Sequence, residues 1–275
     1  MASLIYPKEM IIDDAYEVKH RDSLMGQARG YDPDSVDPSI YGMMAPPTEI
    51  PLIPRSEWSE RIKEKEATKS NLSDILLRAG IPSTDQNGHG YCWAYSTVGC
   101  VQTIRAFNNQ PHIPLNPHSV AATIKRGADQ GGWCGLSARF LMERGVAPMG
   151  SGDGEWPEHS RDFNRYEPRC RERMTQFLVT EGWIDLRLAD YDQEMTFDMV
   201  ISCLLSNIPC ALDFNWWGHS VKGCDAVDLG RNQYGIRIRN SWTDSWGDKG
   251  FSVLTGSKAI PNGAVGLRVT GAVAA

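Results

Sequence analysis

Residues 92 to 107, CWAYSTVGCVQTIRAF, are the stretch that most narrows what this chain can become. Small side chains recur at Cys92, Ser96, Gly99, Cys100 and Thr103, the i, i+4, i+7, i+8 and i+11 positions of one helical face, and Trp93, Val98, Val101 and Ile104 fill the others. A helix with so few polar positions must be enclosed by other elements. It is therefore the expected centre of a globular core, and 275 residues provide either one large domain or two halves sharing a cleft.

The surrounding text supplies those elements. Six of the sixteen prolines lie between Pro33 and Pro54, a density that forbids regular helix, so residues 1–54 read as an arm and the compact domain as 55–275. SEWSERIKEKEATK and NLSDILLRAG read as helices, the second stopped by Gly80. Asn116-Pro117 opens a helix closed by Gly127, and LSARFLMER is closed by Gly145, which makes residues 55–150 a mainly helical half. In 151–275 two helical segments, PRCRERMTQFLV and TFDMVISCLLSN, give way to strand candidates ALDFNWW, HSVKGCDAVDL, YGIRIRNS and FSVL. Tyr234, Ile236 and Ile238 alternate with Arg237 and Arg239, a period of two that puts Asn240 on the inward side. Helices first and antiparallel strands later predict an α+β fold.

Composition removes several function classes. The net charge of −6 is spread along the chain, which argues against nucleic-acid or anionic-membrane partners. Charged residues come before any long apolar run, and no window nears the roughly 18 apolar residues of a membrane helix, so the expectation is a cytoplasmic protein without signal peptide or membrane span. The seven cysteines contain no CxxC pair, which points to neither a zinc site nor a disulfide framework. Small buried thiols are the ordinary outcome, and neither metal nor cofactor is expected.

One cysteine differs in its setting. Cys92 opens the central helix, whose positive end stabilises a thiolate. His219, in WWGHSVKG, and Asn240, in NSWTDSWGDKGF, follow it by roughly 130 and 150 residues. Together with QNGHGYCW over Gln86 to Trp93, the pair Gly131-Gly132, and the NSWxxxWGxxGF pattern from Asn240 to Phe251, this order resembles that of the papain-like cysteine peptidases, peptidase family C1. The likeness covers most of residues 81 to 254. It implies a helical half and an antiparallel, β-barrel-like half with the active-site cleft between them. It implies Cys92 as nucleophile, His219 as base and proton donor, Asn240 as the partner that orients the imidazole, and Gln86 as oxyanion donor. Gly131 and Gly132 would pair with an extended peptide substrate and Trp246 would wall the cleft. Trp93 and Trp242 would be supporting residues, Trp242 by covering the Asn240–His219 bond. A thiolate–imidazolium pair at neutral pH is part of the expectation.

The remaining histidines read as structural: His20 and His159 as solvated, His112 and His118 as exposed or capping near a helix start, and His89 as a loop residue without assigned role. The chain also departs from the family pattern. His89 and Asp129 stand where secreted members have a disulfide, Tyr91 replaces a small residue before the nucleophile, and Gly218 precedes the histidine. The 21-residue separation of His219 and Asn240 is longer than usual, with the excess assigned to the LGRNQ turn. The secreted enzymes' pro-region helix is absent from the arm, which either lies along its own cleft as an inhibitory segment or docks on a neighbouring subunit. Two readings follow: a thiol peptidase acting through an acyl-enzyme, or a structural or assembly subunit on the same scaffold with a shielded or vestigial site.

Overall fold

The computed structural model describes residues 10–18, 29–36, 52–179, 184–185 and 193–268; His20 and the proline-rich residues 37–51 lie outside them. In chain order, the elements are β1 (Ile11–Ile12), α1 (Arg55–Thr68), α2 (Leu72–Arg78), α3 (Cys92–Phe107), α4 (Pro117–Ile124), α5 (Cys134–Glu143) and α6 (Pro168–Thr175). They continue with β2 (Ile184–Asp185), α7 (Gln193–Leu205), β3 (Cys210–Phe214), β4 (His219–Gly230), β5 (Gln233–Arg239), β6 (Phe251–Leu254) and β7 (Gly263–Gly266). Helices dominate before residue 150 and strands after 205, the predicted α+β arrangement.

α3 is buried along almost its whole length, as its sequence requires. It packs against α2, α4 and α5 on one side and against β3 and β4 on the other, so it joins the two halves. α4 begins where Asn116 caps it, its side chain accepting the His118 N–H, with Pro117 in the first turn where a missing N–H is harmless. α1 reads as charged, yet Trp58, Ile62 and Lys65 share one face at i, i+4 and i+7 and are buried. That face joins the core of the sheet half with Ile53, Leu204, Phe214 and Ile236 rather than the helical half that follows it in sequence.

The strands form one seven-stranded sheet in the order β1-β6-β5-β4-β3-β7-β2, antiparallel except for the parallel β1–β6 pair. Ile11 and Ile12 of the arm lie beside Val253 and Leu254 in that pair, and Asp14 accepts hydrogen bonds from the Ser257 N–H and hydroxyl. The extra residues between His219 and Asn240 are not loop. Gly230 pairs with Gln233 around a two-residue turn, with Arg231 and Asn232 both at positive φ. The length resides instead in the twelve-residue β4, whose register shifts against β5 at Gly223/Asp225 and Asp228/Gly230.

Candidate active site

α3 starts at Cys92 without a side-chain cap, so the helix's partial positive end faces that residue. β4 starts at His219, and Asn240 directly follows β5, which is antiparallel to β4. This pairing brings the two together: His219 Nε2 and Asn240 Oδ1 are 2.8 Å apart. Asn240 Oδ1 also accepts the Ser241 N–H at 2.8 Å. An amide oxygen only accepts, so Nε2 carries the ring proton and Nδ1, which has no hydrogen-bond partner, is the basic nitrogen of the neutral imidazole. Trp242 stacks on His219 with ring centroids 4.5 Å apart, and Trp217 meets it edge-on at 5.0 Å. Both indoles keep water from the imidazole–amide bond. Trp246 is half-buried against Trp242.

Gln86 is pinned to the same block. Its N–H donates to Ser241 O at 3.0 Å, its Oε1 accepts from Ser241 Oγ at 2.6 Å, and its Nε2 donates to His89 O at 2.7 Å. The approach loop is further held where the disulfide of secreted relatives is missing. Asp129 Oδ1 accepts the Gly90 N–H at 2.8 Å, and Tyr91 Oη donates to Ala128 O at 2.7 Å, a non-covalent brace between the same two loops. All seven cysteines are free and buried.

Cys92 Sγ accepts two backbone N–H groups, from Ser220 at 3.4 Å and from Gly30 of the arm at 3.3 Å. The arm continues along the strip expected for substrate. Gly132 N–H donates to Gly30 O and Asp32 N–H to Gly132 O, both at 2.9 Å; Tyr31 N–H donates to Gly218 O at 3.1 Å, and Arg29 Nη1 to Trp217 O at 3.2 Å. Gly131 packs against Gly30 and Asp32. The approach is close enough to exclude side chains: a Cβ on Gly30 would lie 2.0 Å from Gly90 O, and one on Gly132 would lie 2.7 Å from the Trp93 ring.

With the arm in place the electrostatics differ from the expected ion pair. Burial pushes the Cys92 thiol up to about 11, against the two N–H donors, and pulls His219 down to about 3, with the Asn240 bond opposing and the Arg29 charge adding to the fall. A neutral thiol and a neutral imidazole are the favoured forms, and among the described residues no hydrogen bond joins Cys92 Sγ to His219. The cause is exclusion of water from both groups.

The sequence reading did not single out Ser220; it had Ser241 only as part of the Asn240–Trp242 block and Trp217 only as a core or hairpin aromatic, and closeness to His219 and Asn240 in sequence is the signal that could have flagged all three. It also misplaced His118. Asn116 does the capping, and the His118 ring is fully buried among Tyr91, Tyr95, His89 and His159. Burial holds that ring neutral, its pKa lowered to about 3. His159 is partly buried rather than solvated, while His112 is exposed.

No family model matches the chain. In sequence it is similar to the probable cysteine protease RDL2 of Arabidopsis thaliana, 24% identical over 66% of this chain and 54% of that protein. It is also similar to zingipain-2 of Zingiber officinale, 23% identical over 69% and 88%. The chain thus spans about half the length of the first of these and most of the second. Among solved structures, xylellain, a cysteine protease from Xylella fastidiosa, superposes with a TM-score of 0.56 at 18% identity, covering 88% of this chain and 96% of that one. Digestive procathepsin L 3 from the Tenebrio molitor larval midgut gives a TM-score of 0.53 at 16% identity, over 68% and 66%. These likenesses establish the papain-like fold. Among the described residues no helix is long and apolar enough to cross a membrane.

Proposed function

We propose that this chain, a divergent relative of the papain-like cysteine peptidases, hydrolyses peptide bonds through Cys92, His219 and Asn240, and that residues 1–54 act as an inhibitory arm on the domain 55–275. The observation that carries the reading is the His219–Asn240 hydrogen bond under Trp242, with Nδ1 left as the basic nitrogen. In the uncovered cleft the Cys92 thiol passes its proton to His219 Nδ1 as sulfur bonds to the scissile carbonyl carbon. The oxyanion is received by the Gln86 amide and the Cys92 N–H. The tetrahedral adduct expels the amine, which takes the proton from His219, and leaves a thioester. Water, deprotonated by His219, then releases the acid and restores the thiol.

The inhibitory role is supported by the arm's own contacts. Its Gly30 N–H donates to the nucleophile, and its Gly30–Asp32 backbone uses the hydrogen-bonding groups of Gly132 that an extended substrate would need. This favours cleft covering over docking on a neighbouring subunit.

The reading is tested by screening a peptide library with the full chain, with the arm-opening variant Gly30→Ala, and with Cys92→Ala in both backgrounds. Hydrolysis by Gly30→Ala that disappears with Cys92→Ala is expected. Hydrolysis that survives Cys92→Ala, or none in any folded variant, overturns it.

A further inference from the structure

A second cavity, of about 20 Å³, lies between α3, β4 and residues 81–84, and the arm, Gly131 and Gly132 do not line it. Its walls include Ser96, Gln102, Lys222, Arg239, Asn240 and Ser241. Two of these residues are buried cations, Lys222 with 7% and Arg239 with 5% of its surface exposed. Lys222 Nζ donates to Thr103 Oγ1 at 2.9 Å and to Gly99 O at 3.4 Å, both uncharged, and it has no carboxylate partner among the described residues. Asp225, which acts on it from β4, is committed to Arg237 at 3.4 Å. Arg239 shares Asp244 at 3.2 Å and donates to Ile81 O at 2.8 Å. Its Nε–H and one end of the neighbouring amide, Asn240 Nδ2, are buried without an acceptor.

The Arg239 guanidinium and the Lys222 amine thus have only a half-exposed Asp244 and an Asp225 already paired with Arg237 as the carboxylates that act on them, beside two N–H donors without an acceptor. An ammonium so placed is costly to keep charged unless something negative answers it. One water needs about 10–15 Å³ of such space, so the cavity holds one particle of about that size, a water or a monatomic ion, and is too small to enclose sulfate.

We infer that this cavity is a site for a small monovalent anion of the chloride class, held by the Lys222 ammonium, the Arg239 Nε–H and the Asn240 Nδ2–H. The bound anion steadies the Asn240 amide from the end opposite to the one that holds His219. Burial lowers the pKa of Lys222, so an anion that keeps it protonated is thermodynamically linked to folding.

The test needs no peptidase activity and so stands apart from the proposed function. Thermal unfolding of the full chain is followed in sodium chloride, sodium bromide and sodium methanesulfonate at fixed ionic strength. The expected result is a midpoint that rises with the logarithm of chloride or bromide concentration, stays flat in methanesulfonate, and loses the halide response in Lys222→Met. Crystals grown with bromide are expected to show an anomalous peak between Lys222 and Arg239, a reading independent of whether the variant folds. Equal midpoints in the three salts, a halide response that persists in Lys222→Met, or a bromide map with no peak there overturns the inference.

Discussion

Gly30→Ala isolates the arm's hold on the nucleophile. Gly30 is not among the residues with positive φ, so its backbone suits alanine and the obstacle is contact alone. The added carbon would lie 2.0 Å from Gly90 O and 2.3 Å from Gly90 C, and it must move by more than an ångström to reach ordinary van der Waals contact. Gly90 cannot give way easily: its N–H is held by Asp129 and its carbonyl accepts Trp93 Nε1 at 3.1 Å. The arm therefore has to leave. It forfeits hydrogen bonds from Gly30 to Cys92, Gly132 to Gly30, Asp32 to Gly132, Tyr31 to Gly218 and Arg29 to Trp217. At a net value of about 1 kcal/mol each these hold the covered state by up to about 5 kcal/mol. A tenfold change in population per about 1.4 kcal/mol makes the shift up to roughly three orders of magnitude. Iodoacetamide alkylation of native protein, read at Cys92 by peptide mass, measures it against the slow background of six other buried thiols. In the wild type, labelling should be slow at pH 7 and climb toward pH 11, because the covered thiol ionises at about 11. In Gly30→Ala, labelling at pH 7 should rise at least a hundredfold and the pH profile should move down. Identical rates and profiles in the two folded proteins would refute the assignment of the arm as a cover.

Three further outcomes can be measured. In the Gly30→Ala background, Gln86→Ala should lower kcat by about 100- to 1000-fold with little change in KM, since an oxyanion donor acts mainly in the transition state. Trp58→Ala should cost about 3–5 kcal/mol in urea unfolding, because the indole is fully buried between the arm's exit and the sheet and its Nε1 donates to Ile53 O at 2.8 Å. The buried imidazoles His118 and His219, both lowered to about 3, contribute stability that is whole above pH 6.5. It is lost as the pH falls from 6.5 toward 3, where the unfolded chain binds protons and the folded one does not. The slope approaches about 1.4 kcal/mol per pH unit for each group, and His118→Phe should remove one group's share between pH 6.5 and 5.5.

Cys92, His219 and Asn240 were legible because each lies in a local pattern, and because the alternation in β5 fixes which way the residues after it point. Helix stops were legible for a similar reason: Gly80, Gly127 and Gly145 all adopt positive φ just beyond their helices. What escaped depends on partners distant in sequence. The face of α1 is too sparse in apolar residues to name its neighbour, and only the sheet half explains why Trp58 and Ile62 turn inward. β7, GAVG, is too short and glycine-rich to show a period, and β1 exists only because β6 offers it an edge. His118 was misread because a histidine near a capped helix start is usually wet, and only the rings around it keep it dry. The grouping of the candidate residues was thus foreseeable in outline, whereas the electrostatics around them were not, because they are set by residues 29–32, whose sequence specifies no partner.

The pairing of Ile11 and Ile12 with β6, together with the packing of Ile53 and Trp58 into the sheet core, has a kinetic meaning. The residues over Cys92 lie between two fixed points of the same chain, so diluting the protein does not clear the cleft. A competing peptide meets an occupant that belongs to the same chain, so its effective concentration does not fall with dilution. A single cut on one side would turn that occupant from a bridge into a loose end still fastened at the other. The cover over Cys92 would then lift in proportion to how far that end can stray, and its occupancy would become a graded property of the molecule.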